Sequence, residues 1–264
     1  NKTVYSSLKK GETEKKISPA KWLELGRVLG VSLNERKWNM ARTDVFNMIE
    51  DDVVFCKEFG KSMMFVDECA IGKTYSARYL SRTLKNCFYV DASQCRQERA
   101  FIKELARSVG AELEGTLEDI KASTKYILNI LPRPIVIIDE AGCLSYSSLQ
   151  LLHEFWNGTQ DTCGWYMMGA DGLRTKLQKG KGKSKKQSYK ELFSRFSSNY
   201  NHVVPYNPSE RMDFYRKLIR DVLSVNVANR SLIDRIVTRC LATDSQEAET
   251  GLRRAESLLI LMEE

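Results

Sequence analysis

The sequence predicts an α/β protein with a parallel, doubly wound β-sheet and a small helical region at its C-terminal end. Apolar, strand-like runs alternate with segments of helical periodicity as far as residue 204. One of these runs leads into a Gly-Lys-Thr turn that begins a helix, and another ends in two adjacent acids. From residue 209 onward only helical periodicity remains, which predicts three helices and no strand.

The elements are predicted in order along the chain. A helix capped by Thr43 or Asp44 runs to Phe59 and is ended by Gly60. The strands are expected at 62–66, 87–91, 135–138, 165–169 and, as a short final strand, 202–204. Helices are expected from Lys73 to about residue 85, around 101–105, and at 145–155.

The first motif lies at residues 65–74, where an apolar strand is followed by a loop ending in Gly72, Lys73 and Thr74. Backbone N–H groups and a helix N-terminus can hold phosphate oxygens, a lysine can reach the terminal phosphates, and a hydroxyl can bind Mg²⁺. The phosphate-loop pattern expects glycine at Asp67, and a common variant expects it at Ala70. An ordinary helix start is the alternative interpretation. The residues predicted to bind nucleotide are Asp67, Cys69, Ala70, Ile71, Gly72, Lys73, Thr74 and Tyr75.

The second motif follows 66 residues after Lys73, where four apolar residues precede Asp139 and Glu140. A continuous apolar run is typical of a central parallel strand, and acids at its carboxyl end lie where such sheets bind ligands. Asp139 and Thr74 are predicted to hold Mg²⁺, and Glu140 to orient the attacking water. A buried strand ending in a solvated acidic turn is the alternative. The order and spacing of both motifs favour an enzyme that hydrolyses a nucleoside triphosphate with Mg²⁺, and the family resemblance given below implies that the nucleotide is ATP.

Charge is distributed unevenly. The 264 residues carry a net charge of +7, with 41 basic and 34 acidic side chains. Eight of the basic residues lie between Gly172 and Lys190 without a single acid, and without them the chain has 33 basic side chains. This predicts a local contact with a polyanion, although charge runs are often only solvated. The eight residues are Arg174, Lys176, Lys179, Lys181, Lys183, Lys185, Lys186 and Lys190.

Composition and length indicate one large domain, or a domain with a small partner. No apolar run is long enough to span a membrane. The seven cysteines form no Cys-x-x-Cys pair, so reduced thiols and a cytoplasmic location are expected. Ser18 and Pro19 predict the start of an amphipathic helix that ends near Gly30. Residues 1–37 resemble the last helices of a helix-turn-helix domain, with a helix packed on the main domain as the alternative.

Residues 38–264 resemble AAA+ ATPases, and more closely the MuB/TnsC/TniB group of transposition regulators. The resemblance implies an α/β core at 38–206 that carries the parallel sheet and a helical lid at 207–264. The resemblance is based on four features of the sequence. They are the degenerate Walker A loop at 67–74, the Walker B run Ile137 to Ala141 with the following Leu144-Ser145 and 149–152, the strand 165–169 with Leu173, and the segment Leu192-Phe193-Ser194-Arg195-Phe196.

The resemblance also implies roles for single residues. Arg195 corresponds to an arginine finger that acts on the neighbouring subunit's nucleotide, with a surface arginine as the alternative. Arg254 corresponds to the sensor 2 arginine, with Arg253 as a close competitor. Asp171 takes the position of sensor 1, where the family usually has Asn or Thr.

Double-stranded DNA, a transposase and further copies of the chain are the partners that the resemblance implies. The predicted DNA contacts are Gln94, Arg96, Arg99, Lys176, Lys179, Lys181, Lys183, Lys185 and Lys186, which would bind backbone phosphates without sequence preference. The expected function is ATP-dependent assembly on DNA that selects transposition targets and stimulates a transposase. A helicase-loader ATPase and a nucleotide-gated scaffold that does not hydrolyse ATP are the alternatives.

Overall fold

The computed structural model describes residues 6–7, 9–10, 17–18, 21–22, 38–178, 194–196, 201–242 and 251–263. The chain divides into two compact units, 1–39 and 40–264. In the first unit, the Ser18 hydroxyl accepts a hydrogen bond from Lys21 N at 3.4 Å, and the Ser18 carbonyl accepts one from Trp22 N at 3.0 Å. Both contacts agree with the predicted helix start. Most of residues 1–37, and with them the helix-turn-helix resemblance, lie outside the described residues.

The second unit is built on a four-stranded parallel sheet in the order β1-β4-β3-β2. The strands are β1 (Ser62–Val66), β2 (Cys87–Asp91), β3 (Ile135–Asp139) and β4 (Gly164–Gly169). The helices are α1 (Asp44–Phe59), α2 (Lys73–Thr83), α3 (Glu98–Val109), α4 (Leu117–Ile130), α5 (Tyr146–Gly158), α6 (Asp171–Gln178), α7 (Pro208–Ser224), α8 (Arg230–Leu241) and α9 (Leu252–Glu263). These four strands agree with the predicted ones.

The ends of α1 show why local sequence predicts this helix so well. The Thr43 hydroxyl accepts a hydrogen bond from Phe46 N at 3.1 Å, which satisfies a donor in the first turn. Gly60 ends the helix at φ 58°, and a Cβ there would lie 2.6 Å from the backbone carbon of Asp161. Both predicted ends are therefore confirmed, and the C-terminal one requires glycine for two reasons.

Strand β3 is the centre of the core, and all five of its residues are buried. Val136 and Ile138 belong to the apolar cluster that contains residues of α3, α4 and α5. Ile135 and Ile137 belong to a second cluster, on the opposite face, with residues of α1, α2 and α7. The continuous apolar run thus reflects a strand covered on both faces, as predicted.

The predicted strand at 202–204 is wrong. The segment makes only an isolated parallel bridge to β1, between Asn201 and Phe65. The N–H groups of Val203 and Val204 instead donate to the Asp67 carboxylate, at 2.6 and 3.1 Å. These two N–H groups therefore cannot form β-sheet hydrogen bonds with β1. Pro205 has no N–H group, so it cannot extend such a pairing either.

Helices α7, α8 and α9 confirm the predicted all-helical C-terminal region. They belong to the same compact unit as the sheet, and the predicted boundary after residue 206 stays a prediction. Within the part of the chain that the structure describes, no helix is long and apolar enough to cross a bilayer.

Candidate nucleotide-binding site

The loop between β1 and α2 leads directly into a helix N-terminus. Gly72 is the N-cap residue of α2 and has φ 99°, in the left-handed region that favours glycine. Ala70 also has a positive φ, 58°. The N–H groups of the first turn of α2 have no partner within the helix, so this end of α2 attracts an anion.

Lys73 is the buried cation of the loop. Lys73 is only 6% exposed. Its Nζ donates to the carbonyl of Asp67, at 2.9 Å, and to the carbonyl of Glu68. Burial lowers the pKa of the Lys73 ammonium, and the charges of Cys69, Asp67, Glu140 and Asp139 act in the opposite direction. The charges of Asp139 and Glu140 therefore act on the Lys73 ammonium, and the assignment of these residues to a nucleotide site stays a prediction.

Asp67 has a role that its place in the motif does not reveal. It is 2% exposed, and its carboxylate accepts hydrogen bonds from three backbone N–H groups, those of Glu68 (2.8 Å), Val203 and Val204. One of its oxygens is thus committed to the segment after Asn201. This explains how the loop tolerates an acid, because backbone donors compensate its charge.

The remaining predicted nucleotide contacts differ in exposure. Ile71 is 1% exposed and belongs to the apolar cluster on the α2 face of the sheet. Its side chain is therefore part of the core, which leaves its backbone for a ligand. Cys69 is exposed, Thr74 is half-buried, and Tyr75 is 41% exposed. Thr74 is the second residue of α2, directly after Lys73, so its hydroxyl belongs to the first turn of that helix.

The acids at the end of β3 form the other side of the site. Asp139 is 1% exposed, and its Oδ1 accepts a hydrogen bond from Glu140 N at 3.0 Å. Its Oδ2 accepts one from the Tyr89 hydroxyl at 3.1 Å. Glu140 has φ 51° and precedes a short 3₁₀ turn at Ala141–Cys143. Tyr89 is a site residue that sequence reasoning missed, because no motif marks a tyrosine in the middle of β2.

The donor set at this edge suits Mg²⁺. A carboxylate and a hydroxyl are hard oxygen ligands, and Mg²⁺ is usually held by one or two carboxylates together with substrate phosphates. Among the described residues no group of three or more His, Cys, Asp or Glu is placed to hold a metal ion by itself. Thr74 and Asp139 therefore fit a metal that is completed by a nucleotide.

Two lid elements contact the phosphate loop, which the sequence did not predict. The Glu68 carboxylate binds Arg211 and Tyr215 of α7. At the start of α9, Leu252 N donates to the Ala70 carbonyl at 2.7 Å. A Cβ on Gly251 would lie 2.5 Å from the Ala70 Cβ, so only glycine allows this approach. The lid is thus attached to the loop at two successive points.

Arg195 lies away from the loop between β1 and α2. It is exposed in a short 3₁₀ turn, Ser194–Phe196, and its guanidinium lies 5.2 Å from the centre of the Trp156 ring. The Trp156 indole in turn donates to the hydroxyl of Ser62, the first residue of β1, at 2.9 Å. Arg195 is therefore near the amino end of β1, whereas the phosphate loop follows its carboxyl end.

The predicted sensor residues contact other groups. Asp171 follows β4 closely, but its side chain is 89% exposed and pairs with Arg174 at 3.0 Å. Arg254 is half-buried and donates to the carbonyl of Arg239 on α8 at 3.3 Å, whereas Arg253 is exposed. The described contacts do not join Asp171 or the Arg254 side chain to the phosphate loop, so both assignments stay predictions.

The predicted DNA contacts divide into two groups. Gln94, Arg96 and Arg99 are exposed together at the turn after β2 and the start of α3. Lys176 is half-buried and donates to the Leu144 carbonyl, so its ammonium is already engaged. Lys179, Lys181, Lys183, Lys185 and Lys186 lie outside the described residues.

Comparisons with known proteins agree with this geometry. The family model of the AAA domain matches residues 60–177, which contain the phosphate loop, Asp139 and Glu140. This match covers 118 of the 264 residues. The sheet order, the site at its carboxyl edge and the C-terminal helices together are the fold of an AAA+ P-loop NTPase. A comparison with curated protein sequences finds no match.

Solved structures share this fold at low sequence identity. The ORC1 protein of Aeropyrum pernix in complex with DNA superposes with a TM-score of 0.60 and 16% identity over 84% of this chain and 59% of that one. The ORC2 protein of Aeropyrum pernix, in ADPNP–ADP complexes, gives 0.56 and 15% over 88% and 64%. AMPPCP-bound DnaA from Aquifex aeolicus gives 0.50 and 13% over 88% and 67%. The chain thus spans less than two thirds of either ORC protein.

Proposed function

We propose that the protein binds ATP with Mg²⁺ in the loop between β1 and α2 and hydrolyses the nucleotide. The observation that carries this proposal is the position of the Lys73 ammonium. It is buried at the start of α2, and Asp139 and Glu140 are among the charges that act on it. A cation and a helix N-terminus are complementary to phosphate, and two acids beside them suit phosphoryl transfer.

Each residue has a defined task in this reaction. Lys73 exchanges its two loop carbonyls for the β- and γ-phosphate oxygens, while the N–H groups of the first turn of α2 hold the phosphates. Thr74 and Asp139 would hold Mg²⁺, which would supply positive charge against the phosphate oxygens. Glu140 orients the attacking water and takes its proton. Arg254 and Asp171 act as sensors of the bound nucleotide.

Completion of the site requires a second copy of the chain. Arg195 is exposed and lies near the opposite end of β1 from its own phosphate loop. This position is compatible with the arginine-finger role that the resemblance implies, in which the guanidinium stabilises charge on the γ-phosphate held by a neighbouring subunit. This makes hydrolysis dependent on assembly and links the nucleotide to the oligomeric state.

The polyanion that promotes assembly is duplex DNA. The eight basic residues between Gly172 and Lys190 have no acid among them, and Gln94, Arg96 and Arg99 are exposed on the domain. Lysines contact phosphates rather than base edges, so binding has no strong sequence preference. The ORC1 protein in complex with DNA has this same fold, which makes the fold compatible with a DNA-bound role.

Within this activity we propose regulation of DNA transposition, in which the DNA-bound assembly selects target DNA and stimulates a transposase. The support is the resemblance of residues 38–264 to the MuB/TnsC/TniB group. A helicase-loader role is the second candidate, because the matched folds include the ORC proteins and DnaA. Stimulation of a transposase, as against loading of a replicative helicase, distinguishes the two. Phosphate release with and without DNA distinguishes both from a scaffold that does not hydrolyse ATP.

The nucleotide site is tested with Lys73→Ala and a fluorescent ATP analogue. Removal of a buried, paired charge typically costs about 2–5 kcal/mol, so affinity should fall by about 30-fold or more. The matched control is Lys85→Ala, since Lys85 is an exposed lysine just beyond α2. Equal affinity of both variants for nucleotide would remove the phosphate-loop assignment.

The DNA contact is tested by changing Lys181, Lys183, Lys185 and Lys186 together to Gln. Each lysine that neutralises a phosphate of duplex DNA releases about 0.9 counterion. Four full contacts should therefore flatten the slope of log affinity against log salt by about 3 to 4 units, equally on unrelated sequences. An unchanged slope together with lost transposase stimulation would make this segment a partner-docking element instead.

A further inference from the structure

The faces of the sheet place one tyrosine beside the Walker B acid. Cys87 and Tyr89 of β2, and Ile135 and Ile137 of β3, contribute to the apolar cluster on the α2 side of the sheet. Because side chains alternate along a strand, Asp139 lies on this same face, two residues after Ile137. Tyr89 is opposite Ile137 in the parallel register, and its long side chain reaches one step further, to Asp139.

Among the residues that the structure describes, Tyr89 is one of two donors that hold the Asp139 carboxylate. The Tyr89 hydroxyl donates to Oδ2 at 3.1 Å, and Glu140 N donates to Oδ1 at 3.0 Å. Asp139 is 1% exposed, so solvent offers it few alternative partners. Each oxygen keeps a further lone pair. The two donors therefore define the plane of the carboxylate and leave acceptor capacity for the metal's water shell.

The tyrosine is itself held from α2. The Arg78 guanidinium lies 5.4 Å from the centre of the Tyr89 ring, and Arg78 is five residues after Lys73 on the same helix. A cation above an aromatic face is an attractive contact, so Arg78 holds the ring against β2. Arg78, Tyr89 and Asp139 thus connect the Walker A helix to the Walker B carboxylate through side chains.

We infer that Tyr89 is a positioning residue, which sets the orientation of Asp139 for Mg²⁺ in the nucleotide complex, and that Arg78 holds Tyr89 in place. The inference rests on the proposed function, because it assigns the metal to Asp139. Tyr89 touches neither the phosphate loop nor Lys73 through any described contact, so its task concerns the metal rather than nucleotide binding as such. Residues that orient metal ligands typically contribute about 10- to 100-fold to metal affinity or activity.

The experiment is a Mg²⁺ titration of nucleotide binding, with hydrolysis not required. Binding of a fluorescent ATP analogue is measured in EDTA and then at rising Mg²⁺ concentration, and Mn²⁺ binding is followed in parallel by electron paramagnetic resonance. Tyr89→Phe should need about tenfold more Mg²⁺ for half-maximal effect and bind Mn²⁺ correspondingly more weakly. Its affinity for the analogue in EDTA should equal that of the unchanged protein.

Two further variants complete the test. Tyr126→Phe is the matched control, since Tyr126 is 65% exposed on α4, and it should titrate normally. Arg78→Met should move the Mg²⁺ midpoint in the same direction as Tyr89→Phe, and Arg78→Lys should restore part of the shift by keeping a cation.

The outcomes separate this inference from the function on which it rests. A normal Mg²⁺ midpoint in Tyr89→Phe, with a shifted midpoint in Asp139→Asn, overturns the role of Tyr89 alone. A normal midpoint in Asp139→Asn shows that the metal assignment is wrong. If Tyr89→Phe loses analogue binding in EDTA, its site is damaged more widely, and Arg78→Met decides: a normal midpoint in that variant overturns the inference.

Discussion

Replacement of Asp67 by glycine tests the structural role of this residue, because the motif predicts a gain in nucleotide binding whereas the structure predicts a loss of stability. Asp67→Gly would bring the loop closer to the phosphate-loop pattern, which suggests improved nucleotide binding. In the structure, however, the Asp67 carboxylate accepts the N–H groups of Val203 and Val204, and Val204 is 4% exposed. Each buried donor that loses its acceptor costs about 1–3 kcal/mol. Val204 N is such a buried donor, whereas Val203 is half-buried and its N–H can be met by water, so the variant should be destabilised by about 1–3 kcal/mol, before any cost of the added chain flexibility.

The measurement is denaturant and thermal unfolding, together with binding of a fluorescent ATP analogue. A loss of about 2 kcal/mol corresponds to a midpoint at least about 4 °C lower for a chain of this size. Ala70→Gly is the matched control, since it also moves the loop toward the pattern. Ala70 has φ 58°, where glycine is favoured, so this change should leave the midpoint equal or higher. An unchanged midpoint for Asp67→Gly, or an equal loss in Ala70→Gly, would refute the structural role of Asp67.

Three further predictions concern catalysis, assembly and pH. Glu140→Gln keeps the Asp139 carboxylate but loses the base, so it should bind ATP and DNA normally and form long-lived assemblies; fast phosphate release would place the base elsewhere. Arg195→Ala should depress hydrolysis but not nucleotide binding, and mixing it with Lys73→Ala should restore some activity; no recovery in a mixture shown to co-assemble would argue against action in trans. Burial raises the pKa of Asp52, with hydrogen bonds from Asn201 and Tyr166 opposing, so folding favours its protonated form. The contribution of Asp52 to the free energy of unfolding should fall as pH rises from about 3.9 through the pKa of Asp52 in the folded protein. The free energy of unfolding of Asp52→Asn, measured over the same pH range, should lack that decline. If the two proteins show the same dependence on pH, Asp52 is not its source.

Much of the architecture was predictable because its causes are local. The four sheet strands are runs of mainly apolar residues. Helix α1, which precedes β1 in the sequence, begins after a capping threonine and ends at a glycine. The Gly72-Lys73-Thr74 turn and the Asp139-Glu140 pair follow their strands directly. Since parallel strands present their carboxyl ends at one edge, local sequence was enough to predict that the lysine and the acids follow strands at the same edge of the sheet.

Other features depend on contacts between distant parts of the chain. Asp67 binds N–H groups 136 and 137 residues away, and this same contact replaces the strand expected at 202–204. Tyr89 meets Asp139 across 50 residues because two strands happen to be neighbours in the parallel register.

The lid depends on tertiary structure in the same way. Glu68 pairs with Arg211 across 143 residues, and the close approach of Gly251 to Ala70 is likewise a contact between distant segments. A hydrogen bond or a packing contact between distant residues leaves no periodicity, cap or spacing in the sequence. The amino-acid sequence by itself determined which segments form the sheet strands and the helices, and it marked which residues of the loop are candidates for binding phosphate. Only the folded chain decided which acid is structural, which tyrosine holds the Walker B carboxylate, and where the lid helices attach, because those choices depend on partners that folding brings together.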